Sequence, residues 1–143
     1  MNKILIFLII ILLSSCTLFK SDETIIGKWI GFNSEDGIIE FKENGVLLIF
    51  DKNGKSVFSK EEIKNISYEA INEVIPHQIY LNMSENGKTE IIPFGIYKIE
   101  NDKLIIRDPI EYHRTLGGFD MGVSRYEIPK DFNGFVRVFK KVK

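Results

Sequence analysis

Gly95-Ile96-Tyr97-Lys98-Ile99-Glu100-Asn101-Asp102-Lys103-Leu104-Ile105-Ile106 contains two strands and the turn that joins them. Gly95, Tyr97 and Ile99 fall on one face of an extended chain, while Lys98 and Glu100 fall on the other. That period of two is the mark of a half-buried strand. Asn and Asp tolerate the positive φ of a two-residue hairpin, so Asn101-Asp102 turns the chain back antiparallel into Lys103–Arg107.

The same rhythm runs outward in both directions. Asn-Gly recurs at 44–45, 53–54, 86–87 and 133–134, and Asp36-Gly37 adds a further turn signal. Between these lie the expected strands Ile25–Phe32, Ile38–Lys42, Val46–Asp51, Ile66–Asn72, Gln78–Met83, Thr89–Glu100 and Phe135–Val142. They are rich in Ile, Val, Phe and Tyr, which favour strands. Ile39 and Phe41 face one way; Ile38, Glu40 and Lys42 face the other. Leu47-Leu48-Ile49-Phe50 is continuously apolar, which predicts cover on both faces. The fold class is therefore all-β, with spacing that suits a barrel or a sandwich.

Two segments break the rhythm. Ser59-Lys60-Glu61-Glu62 has the spacing of a capping box and predicts a short helix near residues 59–65, packed by Ile63. Arg107–Phe132 carries Asp108-Pro109, Gly117-Gly118, Gly122 and Pro129, and reads as a long loop with one strand near Gly122–Glu127.

The amino terminus reads differently. Lys3 precedes the apolar run Ile4–Leu13, which as a helix rises about 15 Å, half of a hydrocarbon core of about 30 Å. It is too short to span and has the form of a signal peptide. Leu13-Ser14-Ser15-Cys16 resembles a bacterial lipobox, which implies cleavage before Cys16 and lipidation of its thiol. Cys16 is the single cysteine, so the chain can form no internal disulfide. The expected organisation is a signal peptide at 1–15, a lipidated tether at 16–24 and one β domain at 25–143. Thr17, rather than Asp, follows the cysteine, which implies the outer membrane if the cell has two membranes and a lipid-anchored envelope protein in any case.

Composition excludes more than it assigns. The formal net charge of −1 gives no basis for a nucleic-acid partner. His77 and His113 are the two histidines, far apart, and with no Cys-x-x-Cys or His-x-x-His no metal site is expected. Gly117–Gly122 is not a dinucleotide loop, and no recognisable acid–base pair occurs, so neither a cofactor nor an enzymatic activity is expected.

Gly27-Lys28-Trp29 resembles the G-x-W signature on the first strand of lipocalins. Tyr68–Asn72, Pro76–Leu81, Gly95–Ile106, Pro129–Phe132 and the final strand are similar to successive blocks of a small bacterial lipocalin-like domain family. Tyr80 and Ile128 depart from its pattern, which has an acidic residue and an Arg there. The resemblance implies an antiparallel up-and-down barrel of about eight strands. It also implies closure through Gly27, Trp29 and Arg137, with the Arg137 guanidinium covering the indole. Tyr97, Arg107, His113, Arg114, Phe119, Met121 and Arg125 are the candidates for a ligand-binding rim. The expected function is a membrane-anchored, non-catalytic envelope interaction or structural protein. Its partners would be the membrane, through the lipid on Cys16, and another protein. The alternative is carriage of a small apolar ligand in the barrel interior.

Overall fold

The computed structural model describes residues 24–33, 35–116 and 118–143; of Leu116 and Phe119 only the backbone is described. The leader, Cys16 and the tether up to residue 23 lie outside the described residues.

Ten strands form among the described residues: β1 Gly27–Gly31, β2 Ile38–Phe41, β3 Leu47–Phe50, β4 Ile66–Ile71, β5 His77–Glu85, β6 Lys88–Glu100, β7 Lys103–Arg107, β8 Ile110–Leu116, β9 Phe119–Glu127 and β10 Arg137–Lys141. The single described helix, α1, spans Lys60–Asn65. Asn101 and Asp102 both take positive φ, 52° and 61°, and join β6 to β7 as their side chains permit. Asn44-Gly45 and Asn86-Gly87 turn β2 into β3 and β5 into β6. Asn53-Gly54 and Asn133-Gly134 instead lie in connections outside the strand pairs.

Eight strands make one antiparallel sheet in the order β3-β2-β1-β10-β7-β6-β5-β4, nearly closed into a barrel. Neighbours in space are neighbours in sequence except that β10 returns between β1 and β7, with Trp29 opposite Lys141. The seam falls between β3 and β4. Val46 bridges Ser67, the Tyr68 amide donates to the Gly45 carbonyl at 2.8 Å, and the Tyr68 hydroxyl donates to the Lys42 carbonyl at 2.9 Å. Phe41 and Tyr68 meet edge-to-face across it, ring centres 5.0 Å apart. Closure is thus made by Tyr68 and Phe41, whereas Gly27 and Trp29 lie in the middle of the sheet.

α1 begins as its sequence requires: Ser59 Oγ accepts from the Glu62 amide, and the Glu62 carboxylate accepts from the Ser59 amide at 2.7 Å. Ile63 is its half-buried residue.

The interior is filled by alternate side chains of the strands. Trp29, Ile39, Phe41, Leu47, Ile79, Leu81, Tyr97, Leu104, Ile106 and Phe139 are all buried and form one contiguous cluster with Ile25. The Trp29 indole N–H, inside that cluster, donates to the Ile25 carbonyl at 2.7 Å. Leu48, Ile49 and Phe50 are only half-buried, because β3 is an edge strand at the seam with no second layer over it.

Residues 108–127 depart from the expected loop. β8 and β9 form a separate two-stranded hairpin, an arm inserted between β7 and β10, with Ile110 opposite Glu127 at its root. Their described side chains are all exposed, so the alternation that burial writes into a barrel strand is missing here.

Candidate functional site

Polar and aromatic groups converge where the arm leaves the barrel. β10 places Arg137 opposite Ile106 on β7, so its side chain starts on the interior face. The guanidinium lies 5.7 Å from the ring centres of both Phe94 and Phe139. It donates to the Asp108 carboxylate at the root of the arm. Its Nε is buried without a hydrogen-bond partner among the described residues. Phe94 reaches this position because β6 bulges there: Ile79 pairs with Gly95 and Tyr80 with Pro93, leaving Phe94 extra. Gly95 makes the bulge possible. At φ 145°, a Cβ on it would stand 2.3 Å from the Arg107 carbonyl oxygen.

Arg137 therefore does not cover Trp29. The cation over the indole is Lys141, whose Nζ is 5.1 Å from the ring centre. Register decides this. Lys141 is the residue directly opposite Trp29, and Arg137, four residues earlier on the same face, lies about 13 Å further along the strand.

The other rim candidates separate. Tyr97 faces the interior, 3% exposed, its hydroxyl donating to Asn72 Oδ1 and its ring 5.4 Å from His77. Burial pushes its phenol up to about 12. Arg107 points outward and fastens the segment before β10, donating to the Asp131 carboxylate at 2.6 Å and the Asp131 carbonyl at 2.7 Å. Asp131 is held below the usual carboxylate range, first by the Asn133 amide and then by Arg107.

His113, Arg114, Met121 and Arg125 sit on the arm, with Phe119 opening β9 and its side chain outside the described residues. The His113 ring lies between two carboxylates, Nδ1 2.9 Å from Asp120 and Nε2 3.6 Å from Glu111. Asp120 is held low, chiefly by the Gly122 amide and then by His113. The Arg125 guanidinium stacks 4.3 Å from the centre of the Tyr112 ring. Ile110, Tyr112, Met121, Val123 and Tyr126 are exposed apolar residues of the same hairpin. The expected rim is thus three places: interior, outer wall and arm.

Nothing local in the sequence assigns Phe94, Lys141 or the partner of Asp108 to these places. Only the register of β7, β6 and β10 brings them to these positions. Among the described residues no group of three or more His, Cys, Asp or Glu could hold a metal ion, and no helix is long and apolar enough to cross a membrane. Comparison with known proteins finds no matching family model, curated protein or solved structure.

Proposed function

We propose that this chain is a membrane-anchored lipoprotein whose lipocalin-like barrel is non-catalytic and serves as an interaction or structural module of the cell envelope. The occupied interior carries this reading. Trp29, Phe41, Tyr97 and Phe139, with the aliphatic residues between them, pack against one another where a carrier would hold its ligand. Gly31 and Gly95 leave no spare room in the interior despite lacking side chains. Added Cβ atoms would meet Asp36 Cβ at 2.3 Å from Gly31 and the Arg107 carbonyl oxygen at the same distance from Gly95. The arm supports a protein partner, since an isolated two-stranded hairpin is marginal in water and gains by pairing or packing on another surface. The anchor rests on Leu13–Cys16, and Thr17 favours the outer membrane where the cell has two.

Two measurements test the reading. Cys16→Ala is expected to abolish incorporation of labelled palmitate and to leave an unprocessed precursor; continued labelling refutes the anchor. Titration with fatty acids and fluorescent apolar probes, followed by Trp29 emission, is expected to give no saturable change at micromolar concentrations. A saturable one-to-one change moves ligand carriage into first place.

A further inference from the structure

The outer face of β1, β10 and β7 has a composition that the packed barrel does not require. Lys103 and Lys140 stand directly opposite each other across the β7–β10 pair, an arrangement of like charges that costs stability. Ile30 is the next residue across from Lys140. Phe32 follows on β1's outer face, its amide bonded to the Val138 carbonyl at 2.8 Å and its ring 5.3 Å from the Lys103 ammonium. Ile30, Phe32 and Val142 remain exposed, at 45%, 55% and 39%. With Lys140 they line a shallow cleft of about 310 Å³.

The charge on this face is mostly positive. Lys98 is paired with Glu100 at 2.9 Å, and Lys28 faces Glu40 across β1–β2 without an ion pair. Lys28, Lys103 and Lys140 make no salt bridge among the described residues. The face also adjoins the place where the tether arrives, since the Val142 amide bonds to the Lys28 carbonyl at 2.9 Å near the start of β1.

We infer that this face lies on an anionic lipid surface, with Ile30, Phe32 and Val142 entering the headgroup boundary and Lys28, Lys103 and Lys140 meeting lipid phosphates. Exposed apolar side chains ringed by lysines suit that boundary. A protein partner fits less well, because lysine is depleted in the cores of protein interfaces. The inference rests on the anchored reading, which holds the domain within a short tether of the bilayer and so raises the effective concentration of lipid around it.

The full-length lipidated chain is reconstituted in vesicles of phosphatidylcholine alone or mixed with phosphatidylglycerol. Amide deuterium uptake is then followed in 27–33 and 137–143. Uptake is expected to fall on the anionic vesicles only. Each lysine near such a surface contributes about fivefold in partitioning, so Lys103→Glu with Lys140→Glu is expected to weaken the protection by roughly 25-fold or more. Lys88→Glu, at the tip of the β5–β6 hairpin, is expected to leave it unchanged. Equal uptake on both vesicle types, loss of protection with Lys88→Glu, or protection that instead requires an added envelope protein overturns the inference. Failure of the anchor reading has a separate sign: the chain does not stay with either kind of vesicle.

Discussion

The Lys141 ammonium stands 5.1 Å from the centre of the Trp29 ring, directly across the β1–β10 pair, and closes the end of the core over a side chain that is itself fully buried. Trp29→Ala is expected to cost about 3–5 kcal/mol, a large part of the stability of a domain this size. Lys141→Ala is expected to cost about 0.5–1 kcal/mol. A double-mutant cycle between Trp29 and Lys141, read by denaturant unfolding, should give measurable coupling. The same cycle between Trp29 and Arg137 should be additive, because register separates them along the strand.

The contrast between these two cations marks what the sequence could and could not disclose. Arg137, Phe139 and Lys141 share one face of β10, which alternation alone establishes. Which of them meets Trp29 depends on β1–β10 register, and register is set by long-range packing with no local signature. The eight barrel strands were legible because burial on one face imposes alternation and because Asn-Gly and Asn-Asp mark several of their turns. β8 and β9 lacked both a buried face and an uninterrupted pattern, so the sequence showed part of one strand where a hairpin stands. Asp108 illustrates the same limit. Its place before Pro109 marks a break in the strand pattern, but nothing local names its partner, an interior-facing arginine 29 residues away.

Arg137 and Asp108 are unequal partners, and the inequality is testable. The Arg137 side chain is 20% exposed and that of Asp108 45%. Removing the carboxylate strands a mostly buried cation, whereas removing the guanidinium leaves an acid that water can solvate. Asp108→Ala is therefore expected to destabilise by about 1–3 kcal/mol. Arg137→Met, which keeps a flexible apolar stem between Phe94 and Phe139, is expected to cost less. In the Arg137→Met background, Asp108→Ala should become nearly neutral; an unchanged cost would show that the pair is not coupled.

Gly95→Ala tests the bulge that positions Phe94. Gly95 and Gly54 both have positive φ, 145° and 76°, so each substitution carries backbone strain of about 1 kcal/mol or more. Only at Gly95 does the new methyl group also collide with backbone, 2.3 Å from the Arg107 carbonyl oxygen; at Gly54 nothing lies within 4 Å. The expected order is a large loss for Gly95→Ala and a small one for Gly54→Ala. Similar midpoints in urea would refute the clash.

The titration of the fold should be asymmetric. Burial raises Tyr97 to about 12 in the folded chain against 10.0 for the free phenol, and its hydroxyl donates to Asn72. The folded state holds that proton more tightly, so the contribution is complete below pH 10 and is lost as pH rises through about 12. Tyr97→Phe should remove the last phenolate step in the ultraviolet titration and flatten the alkaline loss of stability. At the acid end the sign reverses. Asp51, Glu62, Asp120 and Asp131 are held low, by hydrogen bonds from the Lys55 amide, Ser59, the Gly122 amide and the Asn133 amide respectively. Their contribution is present above the ordinary carboxylate range and disappears as pH falls through their lowered values. Stability should therefore decline below about pH 4.

Excising the arm separates the barrel from the surface that we assign to a partner. Ile110 and Glu127 are opposite one another in the β8–β9 ladder, so their Cα atoms are about 5 Å apart and a two-residue turn can take the arm's place. The arm's described side chains are exposed and its contact with the barrel runs mainly between β9 and β6, so little buried surface is lost. Replacing Glu111–Tyr126 by Asn-Gly, which joins the retained Ile110 and Glu127, is expected to keep the unfolding transition of Trp29 fluorescence cooperative and within about 1 kcal/mol of the parent. Asp108 remains in place to pair with Arg137, so the mouth of the barrel should be undisturbed. Loss of cooperative unfolding would mean that the hairpin is part of the barrel's own core. Retained folding with loss of chemical crosslinks to envelope proteins would assign those contacts to the arm.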